Sequence, residues 1–176
     1  MAPRGLSAAA LQRKLRNEEL LECAMAGRHK DAARLLEEGA NFEFQDRDGY
    51  TAISEAASAG HTVVVGQLLR SLADPDHAAH DGRAALHRAT LHNWIPTMRL
   101  LLEHGADPDL KDKDGATPLD LVRSGAAKEL IATFDREQNR SAREERRAKR
   151  EQLPPAEEEA EEADAEEQGE QAADAP

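Results

Sequence analysis

Gly82-Arg83-Ala84-Ala85-Leu86-His87-Arg88-Ala89 opens a stretch that continues through Leu100-Leu101-Leu102-Glu103-His104-Gly105-Ala106-Asp107-Pro108 to Asp112-Lys113-Asp114-Gly115. Its first and last glycines stand 33 residues apart, and an equal step back from Gly82 reaches Gly49. Related strings surround the other two glycines, Asp48-Gly49-Tyr50-Thr51 and Asp114-Gly115-Ala116-Thr117-Pro118-Leu119. The same interval relates Leu35-Leu36, Leu68-Leu69 and Leu101-Leu102, and it relates Gly39-Ala40, Leu72-Ala73 and Gly105-Ala106. A fixed period of this size marks a stack of small units, each too thin to bury an apolar face alone.

Local signals within one unit agree. Thr51 is placed to cap a short helix over 52–59, which Gly60 ends because a left-handed residue costs glycine nothing. A second short helix is expected over 63–70, with Val64, Val65, Leu68 and Leu69 on one face. Between Ala73 and Gly82, Pro75 and three aspartates predict an extended loop. Helices this short are marginal in water, so their stability must come from neighbouring units. The expected fold is all-α: a solenoid of helix-turn-helix units joined by β-turn or hairpin loops.

These residues resemble the ankyrin repeat family, whose 33-residue unit carries a Thr-Pro-Leu-His-x-Ala signature. Thr117-Pro118-Leu119 keeps its first half and Leu86-His87 its second. The resemblance covers residues 18–134 in four units, about 18–46, 47–79, 80–112 and 113–134. It implies structural roles for Gly49, Thr51, Gly60, Leu68 and Leu69, for Gly82, His87, Leu101, Leu102 and Gly105, and for Gly115, Thr117, Pro118 and Leu119. Departures fall mainly at the ends. Glu18-Glu19-Leu20-Leu21 replaces the signature in the first unit, and Asp31 stands where the second has Val64, as suits an end cap. Asn93 replaces the glycine between the third pair of helices, and Asn tolerates the left-handed region. In the fourth unit Asp120 replaces the histidine and Gly125 falls one residue early, which leaves the last inter-helix turn open.

Charge divides the chain. The net charge is -12, yet all 23 Lys and Arg lie before residue 151, so the acidity belongs to the last 26 residues. After Ala126 there is no helix breaker until Pro154. Leu130, Ile131 and Phe134 continue an apolar face, and from Asp135 onward almost every residue is charged or small. Glu145–Lys149 and Arg147–Glu151 fall at i, i+4 and Glu144–Arg147 at i, i+3. The final repeat helix is therefore expected to run on as a solvent-exposed charged helix over 135–153. Residues 154–176, rich in Ala and Glu, are expected to be disordered. At the other end, 1–17 reads as a helical lead-in. Arg4, Arg13, Lys14 and Arg16, with no acid before Glu18, leave a mitochondrial presequence as the minor alternative.

The family resemblance implies partner binding through the loop tips and the first helix of each unit, a concave surface. Carried over by position, that surface presents Tyr50, Glu55, Ser58, Arg83, Arg88, Leu91, His92 and Leu121, with Trp94 beside it. Tyr and Arg are the residue types most enriched at binding hot spots. Trp94 has a second reading, as a cap packed on the neighbouring unit. Other chemistries find little support. Cys23 is the only cysteine, which excludes an intramolecular disulfide and a thiolate zinc set. His77 and His80 lie in a loop without supporting ligands, and Asp107, Asp109, Asp112 and Asp114 lack the glutamate that closes a calcium loop. No acid–base pair and no phosphate loop is visible, so no enzyme, metal or cofactor is expected.

Leu11-Gln12-Arg13-Lys14-Leu15-Arg16 matches only half of a calmodulin-binding IQ pattern. Arg146-Arg147-Ala148-Lys149-Arg150 resembles a nuclear import signal weakened by Glu144, Glu145 and Glu151. The acidic tail argues against nucleic acid, and no apolar run suits a membrane. The expected function is a monomeric, non-catalytic protein-binding module of the cytoplasm or nucleus. The alternative is a regulatory or inhibitory subunit whose acidic tail makes the key contacts, or folds back on Arg136–Arg150 or on Arg83 and Arg88.

Overall fold

Positive φ angles punctuate the chain at the sequence period. Between paired helices stand Gly27, Gly60 and Asn93, with φ of 70°, 76° and 59°, and Gly39, Leu72 and Gly105 follow the second helix of each pair. These breaks cut the chain into short helices in the computed structural model, which describes residues 8–152. In order they are α1 (Ala8–Ala26), α2 (His29–Glu37), α3 (Ala52–Ala59), α4 (Thr62–Arg70), α5 (Ala85–Leu91), α6 (Ile95–Glu103), α7 (Gly125–Thr133) and α8 (Arg136–Arg150). No strand occurs among the described residues. Residues 1–7 and the expected disordered tail, 154–176, lie outside the described residues.

Two rows of helices form the stack. α1, α3 and α5 pack in succession as an inner row, α2, α4 and α6 as an outer row, and each inner helix packs on its own outer partner. Alanine supplies much of the inner row's buried face (Ala24, Ala56, Ala57, Ala89), which lets helices approach closely. The larger volumes come from Leu20, Leu35, Ile53, Leu68, Leu86, Met98, Leu101, Leu102 and Ile131, each buried. This thin, continuous apolar layer is what makes such short helices stable.

Hairpin loops project between units. Asp46 N–H donates to Tyr50 O at 3.0 Å, Ala79 N–H to Arg83 O at 3.3 Å and Asp112 N–H to Ala116 O at 2.9 Å. Successive tips are joined by His80 N–H to Asp48 O, 2.9 Å, and Lys113 N–H to Asp81 O, 3.3 Å. Backbone groups in these loops thus find partners within the row, as buried or half-buried amides require.

Local departures have identifiable causes. The lead-in and the first inner helix are one continuous helix, because nothing between Ala8 and Ala26 breaks it. Thr51 occupies the N-cap position, but its hydroxyl makes no hydrogen bond. Ser54 does the capping instead: its Oγ accepts from Thr51 N–H at 3.0 Å and donates to Thr51 O at 2.9 Å. The fourth unit has no inner α-helix. Residues 117–122 close as successive tight turns, Asp120 N–H to Thr117 O and Leu121 N–H to Pro118 O, at 3.0 and 3.2 Å. Asp120 takes the histidine's place by accepting the Thr117 N–H at 2.8 Å and hydroxyl at 2.7 Å. Ser124 then caps α7 through Ala127 N–H.

The expected run-on helix is also corrected. Phe134 is extended, with ψ 137°, and the Asp135 carboxylate accepts the N–H groups of Glu137 and Gln138 at 2.9 and 3.1 Å. A side chain that caps a new helix start ends the old one. After this joint α8 turns back and lies against the stack, with Asn139 and Arg146 buried, instead of projecting into solvent.

Candidate functional site

Hairpin geometry fixes the charged side chains of the inner face. Asp112 Oδ1 accepts the Asp114 and Ala116 N–H groups at 3.0 and 2.9 Å; Asp46, two periods earlier, does the same for Asp48 and Tyr50, both at 2.9 Å. Ala79 stands at the matching place in the middle hairpin, and there Asp81 takes over by accepting Arg83 N–H at 2.9 Å. Asp81 is thereby held where both its oxygens receive Arg88 Nη2, each at 3.0 Å. The Arg88 guanidinium also lies 4.1 Å from the centroid of the Tyr50 ring. Arg88 is consequently only 9 % exposed, a fixed part of the floor rather than a free arm.

Arg83 is engaged as well: its Nε donates to Asp112 at 3.1 Å, and Asp114 lies 3.7 Å from Nη2. Burial opposes ionisation of Asp112, but the N–H groups of Ala116 and Asp114 and the Arg83 guanidinium outweigh it and hold this carboxyl below its ordinary range. Glu55 shows the reverse. Burial pushes its carboxyl up, only partly offset by Arg88, with Asp46 adding to the rise. Glu55 and Ser58 are half-buried, Leu91 is half-buried and His92 exposed. The structure thus brings Tyr50, Glu55, Arg88 and Arg83 into one charged floor across the second and third units. Leu121 is half-buried on the turns of the fourth unit.

His87 is wholly buried. Its Nδ1 accepts Ala84 N–H at 3.3 Å, which puts the proton on Nε2, donated to Ala116 O of the next unit at 3.2 Å. Burial pushes its pKa down, against the raising effect of that hydrogen bond. Trp94 sits apart, at the edge where paired helices turn. Its Nε1 donates to Ser58 O at 2.9 Å, and its ring covers Gly60 so closely that a Cβ there would come within 2.5 Å. His61 repeats this arrangement one unit earlier, over Gly27, with Nε2 donating to Met25 O at 3.1 Å. Trp94 is a clamp between units that keeps 41 % of its surface exposed.

A second site was not anticipated from sequence. In the loops after the outer helices, Glu43 accepts Asp74 N–H at 3.0 Å and Asp76 accepts Asp107 N–H at 2.7 Å, so one unit's carboxylate is tied to the next unit's backbone. α8 crosses this row. Arg143 reaches Asp107 at 2.9 Å, Arg146 reaches Asp76 at 3.1 Å, Arg150 reaches Glu43 at 2.6 Å, and Arg136 pairs with Asp109. Carbonyl oxygens complete the contact. Asn139 Nδ2 donates to Leu102 O and Ala106 O at 2.7 and 3.0 Å, Arg146 to His104 O at 2.9 Å and Arg150 to Leu72 O at 2.7 Å. Burial pushes the Asp76 carboxyl up, with the Asp107 N–H and Arg146 partly offsetting it. The sequence signal was present: positions 136, 139, 143, 146 and 150 alternate steps of three and four, one face of a helix.

Among the described residues no group of three or more His, Cys, Asp and Glu side chains is placed to hold a metal ion. No described helix is long and apolar enough to cross a membrane. Comparison with curated proteins returned no match. Comparison with families matched the one described as ankyrin repeats (3 copies), over residues 20–112 and again over 56–139. With two thirds of its length matched, and with paired helices, hairpins and inter-unit bonds recurring at one period, the chain belongs to the ankyrin repeat family.

Proposed function

We propose that this chain is a non-catalytic module that binds a partner protein on the inner face built from α1, α3, α5 and the hairpin tips. Ankyrin repeats are generally protein–protein interaction modules, and the family is typically non-catalytic. The observation that carries the reading for this chain is the floor of the second and third units. There the Arg88 guanidinium is fixed by Asp81 and the Tyr50 ring, so its ordering cost is met before a partner arrives. Around it Glu55, Ser58, Leu91 and His92 stay at least partly accessible and supply the variable contacts.

The test is site-specific photo-crosslinking in cell extract with the full chain. A crosslinker at Leu91 or His92 is expected to capture one defined protein, and a crosslinker at exposed Lys128 on α7 is expected not to. With the crosslinker moved to Ser58 on the same face, Leu91→Asp with His92→Glu should abolish capture at unchanged melting temperature. Equal capture from both positions, or capture that survives the double substitution, defeats the proposal.

A further inference from the structure

The contact between α8 and the outer loops has the composition of a binding interface rather than of a core. Its only buried residues on the helix are Asn139 and Arg146, and no aliphatic side chain of α8 is buried. On the receiving side, Glu43 and Asp76 are each tied to the following unit's backbone, so their carboxylates are in place whether or not a helix lies over them. Carbonyls of Leu72, Leu102, His104 and Ala106 point to the same track. Such a row matches arginine's fork of donors, which binds carboxylate and carbonyl together.

We propose that this carboxylate and carbonyl row is a second docking surface, made for an arginine-rich helix, and that α8 is its intramolecular occupant. The partner it fits is a helix of another protein carrying Arg or Asn at alternating steps of three and four residues. Three observations make α8 displaceable. It is joined to the stack through an extended Phe134 and the Asp135 cap, a hinge that lets it leave without unwinding α7. Its fit is incomplete, since Arg146 is 8 % exposed while its Nε has no partner; a helix that satisfies that donor, or omits it, fits better. Finally, Glu151 follows α8 directly, and residues 157–174 add ten further acids, so displaced arginines have counter-charges at hand. A tethered helix competes at a high effective concentration, which hides the row from weak binders and reserves it for a partner with the right spacing.

The experiment uses full-length chain and a fluorescent peptide with the sequence of residues 136–152, beside a scrambled peptide of equal composition, followed by anisotropy at low salt. Arg143→Glu with Arg146→Glu sets α8 against the row and opens it. The opened chain is expected to bind the native-order peptide about 100-fold more tightly than wild type, and the scrambled peptide at least about 10-fold more weakly than the native order. Adding Asp76→Asn and Asp107→Asn keeps the oxygens that accept backbone N–H groups, removes the charges, and should abolish binding. Absence of peptide binding by an opened chain that still unfolds cooperatively overturns the proposal. Equal binding of the scrambled peptide overturns it too, since that is general acidity. So does loss of cooperative unfolding in the opened chain, which would make α8 a part of the fold rather than a ligand of it.

Discussion

Gly105 and Gly39 occupy the same place in their units, have nearly the same φ, 81° and 79°, and differ in what lies over them. A Cβ on Gly39 would meet nothing within 4 Å, whereas one on Gly105 would stand 2.5 Å from Arg143 N and 2.7 Å from its Cα. Alanine at either position incurs the left-handed conformational cost, about 1–2 kcal/mol. Only at Gly105 must a helix also move, because backbone atoms cannot rotate aside as a side chain would. Overpacking of this kind costs about 1–3 kcal/mol. Gly105→Ala is therefore expected to lose about 1–3 kcal/mol more than Gly39→Ala in urea unfolding. The difference should be matched by loss of hydrogen-exchange protection in α8 alone and by faster tryptic cleavage at Arg143 and Arg146. Equal losses from the two alanines, with α8 equally protected in both, would refute the docking of α8 against Gly105.

The remaining expectations concern single contacts. Leu101→Ala, at a fully buried position of α6, should cost about 2–5 kcal/mol in chemical unfolding. His87 has its folded pKa lowered from 6.5, so the stability it contributes is complete above that value and falls away as pH drops below it. Wild type should accordingly lose stability between neutral and mildly acidic pH on a steeper slope than His87→Gln, because other titrating groups such as His104 are common to both. Identical slopes would show that His87 does not stay neutral in the fold. Trp94→Ala should cost about 1–3 kcal/mol through the lost ring contact and hydrogen bond, while Trp94→His, which copies His61, should recover part of it. Salt at ~1 M, where screening is nearly complete beyond ~3 Å, should speed proteolysis of α8 while leaving cleavage within α3 to α6 unchanged.

Periodicity made the stack legible, because a recurring residue declares its role by where it recurs. Asn93 adopts the left-handed turn expected from its place in the period, and His87, given a structural role by the resemblance, is buried with its ring bonded to Ala84 N–H and Ala116 O. What period does not encode was missed. The partner of Arg88, Asp81, depends on Ala79 replacing the hairpin aspartate, which shifts the capping duty by two residues. In α8 the charges read as pairs along the helix, and Glu145–Lys149 does form at 2.6 Å. Yet Arg143, Arg146 and Arg150 reach carboxylates 36, 70 and 107 residues away. A helix whose buried face is polar carries no hydrophobic stripe, so sequence alone assigns it to solvent. The fourth unit lost its inner helix at the point where Gly125 falls out of register.

The rings over Gly27 and Gly60 give the stack a direction in which it can be lengthened. Each unit presents a bare glycine to its successor, and each successor brings a ring to cover it: His61, then Trp94. At the third junction both halves change together, with Asn93 in place of the glycine and Ala127 in place of the ring, and Ser124 hydroxyl bonds Asn93 instead. A side chain at Asn93 leaves no bare surface for a ring, so the series stops there by matched substitution on the two sides. Duplicating residues 47–79 between the second and third units joins a compatible glycine to a compatible ring at both new seams. The same insertion after the third unit would place His61's counterpart against Asn93. Growth of this protein by unit duplication is thus open at one junction and closed at the other, and the closure sits where the chain turns back to lay α8 along its own loops.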